Sequence, residues 1–278
     1  MFDGRLALLQ RVLPGYRKVF FEALAARCKN GLHLLAGQPR PNEAIHPAGR
    51  LDGIELTMTT NLHLLQGRGY FCWQSGVKRW LAVNQPDVLI AEANLRYLST
   101  PPAVSWMHSR GCPVIGWGLG VSGSGAQSGL RTRFFRQFDA LITYSQTGAD
   151  QYADLGFPRD CIFVAPNATV ARPTQKPKPR PPRWKKNATV LFVGRLQTRK
   201  KVDNLILACA ALPEGLRPRL VIIGDGPARS ELETLARMHY PDAEFTGSLH
   251  GDDLEPYFTA ADLFVLPGTG GLALQQAM

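Results

Sequence analysis

The chain has no apolar run of the roughly 20 residues that a bilayer-spanning helix needs, so a polytopic membrane protein is excluded. Its five cysteines, Cys28, Cys72, Cys112, Cys161 and Cys209, are odd in number and lack metal-ligand spacing. That excludes a cysteine zinc site and a disulfide scaffold, and predicts reduced thiols in apolar surroundings. The six histidines (33, 46, 63, 108, 239 and 250) show no ligand spacing, and no Asp-x-Asp cluster falls between predicted strands. No Ser/His/Asp or Cys/His nucleophile set can be placed, no internal repeat is present, and no catalytic histidine is assigned. The first residues, MFDGRLALLQRVLPGYR, are too charged and too short in apolar length for a secretion signal and read as a first strand. A cytoplasmic protein is expected, in which the sequons at Asn167 and Asn187 have no role.

Acidic residues are missing where basic ones concentrate. The net charge is +10, with residues 1–170 at +6, residues 171–188 at +7 without a single Asp or Glu, and residues 189–278 at −3. A basic N-terminal half without a hydrophobic anchor predicts at most weak, salt-sensitive contact with an anionic membrane surface. Plain solubility charge is the competing reading. The stretch 172–187, RPTQKPKPRPPRWKKN, is rich in proline and cations, cannot form a packed core, and reads as an extended interdomain linker. Without a fold to present it, nucleic-acid binding is not expected. The sequence therefore divides into 1–171, the linker 172–187, and 188–278.

The informative part is TVLFVGRLQTRKKVD, residues 189–203. An apolar run stops at Gly194, Arg195 follows, and Lys200 and Lys201 arrive where a helix would start. That order reads as buried strand, tight turn, cationic loop and helix start, an arrangement suited to an anion. An ordinary solvated basic turn fits this segment alone equally well. A second run, 220–223, breaks at Gly224-Asp225-Gly226-Pro227 and a helix continues over 230–236. A short strand at 244–246, a helix near 252–260, a strand at 263–266 and a glycine-rich turn follow. The N-terminal half alternates likewise, with strands predicted at 6–13, 32–36, 54–58, 88–91, 114–117, 141–144 and 162–165 and a helix after Pro14 whose apolar stripe is Val19, Phe20, Leu24 and Ala25. Alternation of this kind predicts an α/β fold with parallel sheets, whose ligands sit beyond the carboxyl ends of the strands. Gly194, Gly224, Gly247 and Gly268 fall at such ends.

At the carboxyl ends of the N-terminal strands stand Tyr16, Arg17, Glu92, Asn94 and Tyr144. Arg17 is a candidate for a ligand phosphate, or a solvated helix-start arginine. Glu92 is a candidate for orienting a ligand hydroxyl, or a cap of the next helix.

The pieces FVGRLQTRK, VIIGDGPARSELE, FTGSL and ADLFVLP, in this order and spacing, resemble the C-terminal domain of family 4 retaining glycosyltransferases. The resemblance covers 189–278 and extends to VLPGYRKVFFEALA, CPVIGWGLG, ALITYS and IFVAPNA in the N-terminal half. It implies the GT-B fold, two Rossmann-like doubly wound domains facing a cleft, with an acceptor-side first domain and a nucleotide-sugar-binding second one. It implies transfer of a sugar, with retention, from a nucleotide diphosphate sugar to a saccharide or lipid-linked acceptor, at the cytoplasmic or inner membrane face. Arg195 and Lys200 match the cationic pair that grips the donor diphosphate, so no metal or other cofactor is required. Leu249 would offer its backbone to the base, and Gly270 and Gly271 with the following helix would approach the phosphates. The family carries two glutamates eight positions apart at this turn. Here Gly268 stands at the first, leaving no side chain to hold a sugar, and Gln276 at the second, where an amide could still hold a ribose. The loop 116–125 has Trp117 and Gly118 where many members have a histidine. With about four strands after residue 188, the second domain reads as incomplete and the chain as C-terminally truncated. An inactive GT-B remnant that at most binds nucleotide, and a GT-B sugar-nucleotide epimerase, remain as alternatives.

Overall fold

The computed structural model describes residues 1–40, 43, 45, 47–121, 129–167, 188–249 and 251–278, and the side chains of all these except Arg68 and Asp252. The expected linker, His46, His250 and residues 122–125 of the 116–125 loop lie outside the described residues. The chain divides into two compact units, Met1–Thr169 and Val170–Met278.

Unit 1 holds β1 (Leu6–Val12), α1 (Lys18–Ala25), β2 (Leu32–Gly37), β3 (Ile54–Thr59), β4 (Asn61–Leu64), β5 (Phe71–Gln74), α2 (Val77–Asn84), β6 (Val88–Glu92), α3 (Thr100–His108), β7 (Val114–Gly118), α4 (Gly129–Phe135), β8 (Ala140–Thr143), α5 (Gln146–Asp154) and β9 (Ile162–Val164). Seven strands form one parallel sheet in the order β3-β2-β1-β6-β7-β8-β9. Strands covered on both faces need unbroken apolar runs, and Leu6, Ala7, Leu8 and Leu9 of β1 are all buried. One side of the sheet packs on Trp80, Leu81, Met107, Phe135 and Tyr152, while the other carries Leu34 and Trp117 and packs on Phe21 of α1.

Two features depart from the sequence-based expectation. The stripe on α1 is Phe21 and Ala25, with Phe20 and Leu24 at its margin, while Val19 faces solvent. A short 3-10 turn, Gly15–Arg17, delays the helix to Lys18 and rotates its phase. Second, β4 and β5 form an antiparallel hairpin that the strand predictions passed over.

Unit 2 holds β10 (Thr189–Val193), α6 (Val202–Ala210), β11 (Arg219–Ile223), α7 (Arg229–His239), β12 (Glu244–Gly247), α8 (Glu255–Ala260), β13 (Leu263–Phe264) and α9 (Ala273–Ala277). Its parallel sheet runs β12-β11-β10-β13. Leu191 and Phe192 are fully buried on opposite faces, and each contributes about 1.5–3 kcal/mol by burial. Strand β13 is shorter than the expected 263–266. Its ladder ends with the Val265 amide on the Leu191 carbonyl (2.9 Å), and Pro267, two residues on, has no N–H to continue.

Candidate functional site

In doubly wound sheets the ligand crevice opens where strand order reverses, beyond the carboxyl ends. In unit 2 that point lies between β10 and β13. Gly194 and Arg195 leave β10, and Arg195 is half-buried. A 3-10 turn, Thr198–Lys200, then leads through Lys201 in the left-handed region (φ 54°) into α6. Lys200 is only 6% exposed. Its ammonium donates to the carbonyls of Thr269 and Gly270, both at 2.7 Å. Burial, then the charge of Arg199, holds its pKa below the ordinary lysine value. The Thr269 amide donates to the Arg199 carbonyl (3.1 Å), and the Arg199 guanidinium to Thr269 Oγ1 (3.2 Å). The loops after β10 and β13 are thus fastened together across the switch point. Because a trans peptide sets N–H opposite C=O, carbonyls turned onto Lys200 turn the Gly270 and Gly271 amides away from it. A Cβ on Gly271 would come within 3.2 Å of the ammonium nitrogen.

Gly268 is in tighter contact still. A Cβ there would lie 2.3 Å from the Arg199 carbonyl oxygen and 2.6 Å from the Lys200 carbonyl carbon. Both obstacles are backbone, so the position takes no side chain without a shift of one loop. Gly224 (φ 141°) faces a similar limit, its absent Cβ being 1.9 Å from the Gly194 carbonyl oxygen. The amides of Gly194 and Gly224 donate to Ile223 and Gly247 at 3.0 and 2.8 Å, so these two glycines serve the close approach of neighbouring loops. Leu249 follows β12 and packs its side chain against the cluster around Leu191 and Leu254. Gln276 is half-buried on α9. That helix has only 5 residues, too few for a substantial macrodipole.

In unit 1 the order reverses between β1 and β6. The Glu92 carboxylate at the end of β6 accepts the backbone N–H of Arg11 near the end of β1. Helix α3 begins eight residues later and carries no side-chain cap, so Glu92 does not cap it. Burial raises the Glu92 pKa, and the Arg11 amide with the charges of Arg17 and Arg11 offsets this only in part. Arg17 donates to Gln10 Oε1 (3.0 Å) and to the Tyr144 hydroxyl. Its guanidinium lies 5.3 Å from the centre of the Trp117 ring and 5.6 Å from that of Tyr144. Arg11 donates to Glu43 Oε2 (2.9 Å) and the Tyr97 hydroxyl (3.2 Å), and Tyr16 is exposed. Glu92, Arg17 and Tyr144 are therefore one polar cluster. Gln10, Arg11, Glu43 and Tyr97 belong to it and escaped the sequence reading. Their signal was a Gln-Arg pair inside an otherwise apolar strand. Among the described residues no group of three or more His, Cys, Asp or Glu could hold a metal ion.

A raised Glu92 pKa disfavours its ionised form in the fold. The stability tied to that group is full below the unfolded-state pKa and is lost as pH rises through the folded one. Glu92→Gln keeps an acceptor for the Arg11 amide and removes the titration. Its melting temperature is expected to gain on that of the parent from acid to mildly alkaline pH. A gap that stays constant across a pH series contradicts this.

Two parallel-sheet units of Rossmann type in one chain define the GT-B class of fold. Residues 174–278 match the family model described as Glycosyl transferases group 1. Sulfoquinovosyl transferase SQD2 of Arabidopsis thaliana is 38% identical over 92 residues, a match covering 32% of this chain and 17% of that protein. The match thus spans less than a fifth of that relative's length. Among solved structures, the lipopolysaccharide outer core galactosyltransferase WaaB superposes with a TM-score of 0.63 at 17% identity, covering 98% of this chain and 77% of that one. Anabaena Alr3699/HepE, solved with UDP and glucose, gives 0.63 at 15%, covering 99% and 78%.

Proposed function

We propose that the chain is a retaining glycosyltransferase that moves a hexosyl group from a nucleotide diphosphate sugar to a saccharide or lipid-linked acceptor. The observation that carries this is the fastened turn 268–271 over the buried Lys200 ammonium, within the segment that matches the glycosyltransferase family model. UDP bound to the structural neighbour supports a nucleotide donor. On this reading Arg195 supplies a guanidinium to the diphosphate. Lys200 contributes its positive charge and keeps the Gly270 and Gly271 amides turned toward the phosphates. Charge on the leaving diphosphate is then met by fixed cations and dipoles, an electrostatic task that asks for no metal. Leu249 borders the base and Gln276 the ribose. In unit 1, Glu92 orients an acceptor or sugar hydroxyl. Arg17, held against Trp117 and Tyr144, offers an anion contact beside Tyr16. The work is placed on the cytoplasmic side, with the basic first half touching anionic lipid.

Removing a charge-assisted contact costs roughly 1.5–3 kcal/mol. Arg195→Ala with Lys200→Ala is therefore expected to weaken nucleoside diphosphate binding at least tenfold in titration calorimetry. Unchanged affinity would sink the assignment. The second reading, a chain that binds nucleotide without turning over, is favoured by Gly268, which has no room for a sugar-holding side chain. Release of nucleoside diphosphate from a panel of nucleotide sugars and acceptors decides between the two.

A further inference from the structure

The hairpin β4–β5 has two unlike faces. Strand alternation turns Asn61, His63, Cys72 and Gln74 inward and Leu62, Leu64, Phe71 and Trp73 outward. Register sets Leu62 opposite Trp73 and Leu64 opposite Phe71. All four are exposed, Leu62 at 49% and Trp73 at 40%, and Leu65 at the turn is exposed further. The other edge of β5 is extended by residues 96–98, whose backbone bonds to both sides of Cys72 at 2.8 Å. That pairing sets Tyr97 on the inward face with Cys72 and exposed Leu98 on the outward face with Phe71 and Trp73. Five large apolar side chains thus share one small face of a folded sheet, and Leu65 stands exposed at its turn.

The charges in the stretch of chain that carries this hairpin have one sign. Residues 56–86 contain Arg68, Lys78 and Arg79 and no Asp or Glu. Lys78 and Arg79 are exposed in the first turn of α2, which follows β5 directly. Leucines with a phenylalanine and a tryptophan, bordered by cations, match the chemistry of a bilayer interface whose headgroups are anionic. A second copy of this chain, packed face to face, would have to set acidic side chains opposite those cations, and this stretch of chain has none. No described helix is long and apolar enough to cross a membrane, so the contact is interfacial.

We propose that the outward face of this small sheet, Leu62, Leu64, Phe71, Trp73 and Leu98, with Leu65 at its turn, inserts into the headgroup region of an anionic phospholipid bilayer, with Lys78 and Arg79 on the lipid phosphates. The sequence suggested basic attachment without an apolar anchor. Alternation in a hairpin that carries only four residues per strand provides that anchor.

The test uses the full chain and vesicles of phosphatidylcholine with or without phosphatidylglycerol. Co-sedimentation should favour the anionic vesicles. Leu62→Ser with Trp73→Ser should lower the partition coefficient at least tenfold, since two large apolar side chains no longer leave water. Lys78→Glu with Arg79→Glu should lower partition onto anionic vesicles by a similar factor and leave partition onto neutral ones as it was. Brominated lipid should quench part of the tryptophan emission of the parent chain, and the conservative Trp73→Phe should remove that part. This last measurement holds even if the serine variant folds poorly. Equal partition of a folded serine variant, or quenching indifferent to Trp73→Phe, overturns the proposal. So does a dimer in sedimentation velocity that Trp73→Ser dissociates while vesicles go unbound, which makes a second copy the occupant. No donor or acceptor enters these measurements, so their outcome is separate from that of the transferase reading.

Discussion

Gly224→Ala is expected to destabilise unit 2 by roughly 2–5 kcal/mol, the combined scale of a forced backbone conformation and an overpacked contact. The new methyl group would start 1.9 Å from the Gly194 carbonyl oxygen, on a backbone with φ 141° that side chains rarely adopt. Neither strain can relax alone. Moving the loop away breaks the hydrogen bonds that the Gly224 N–H donates to the Gly247 carbonyl and the Gly194 N–H to the Ile223 carbonyl. Gly215→Ala is the control, because nothing lies within 4 Å of its added carbon, and it should change stability by no more than about 1 kcal/mol. Urea unfolding followed by circular dichroism compares the two. Coincident midpoints would show that the loops do not approach so closely in solution.

Gly268→Glu is the second large effect, and the structure reverses the direction that the sequence comparison suggests. Supplying the missing carboxylate reads, from the family pattern, as a gain in sugar recognition. The geometry gives a loss, because the first carbon of the side chain meets the backbone of Arg199 and Lys200 at 2.3–2.7 Å. Displacing the turn separates the Lys200 ammonium from the carbonyls of Thr269 and Gly270. Nucleoside diphosphate affinity is then expected to fall at least tenfold, as two charge-assisted bonds are disturbed. Gly268→Ala should behave similarly, since the obstacle begins at Cβ. Calorimetry on both variants is the measurement. Tighter binding of a nucleotide sugar by the glutamate variant, with an unchanged melting curve, would be the contrary result.

The parts legible in the sequence share a cause. Strands of a parallel sheet are buried on both faces, so β1, β10 and β11 carry apolar runs at 6–9, 190–193 and 220–223, the last two ending at a glycine. Gly194, Gly224 and Lys200 could be placed at strand ends from that pattern alone. What Lys200 bonds to could not, because Thr269 and Gly270 lie some seventy residues away. The hairpin β4–β5 was illegible for a different reason. In NLHLLQGRGYFCWQ the apolar side chains alternate for only four residues on either side of the turn and then point outward. A pattern read for buried faces passes over apolar residues that face water. Arg11 was hidden because a charged residue in a strand reads as surface, and Glu43 because it lies outside the strands, between β2 and β3. Here each carries the counter-charge that allows the other to be sheltered.

Asn61 donates its side-chain amide to the Arg11 carbonyl (2.8 Å), and Gln74 donates to the Gln10 carbonyl (3.0 Å). These two residues stand opposite each other in β4 and β5, so the hairpin is clamped to two consecutive peptides of β1. The next atoms along are the Arg11 amide on Glu92 and the Gln10 side chain on Arg17. A load on the outer leucines is thereby a load on the end of β1, with no loop between to absorb it. Coupling of this kind is reciprocal. Whatever reorders Glu92 or Arg17 therefore bears on the hairpin through Arg11 and Gln10, and a surface that seats the hairpin bears on them by the same bonds.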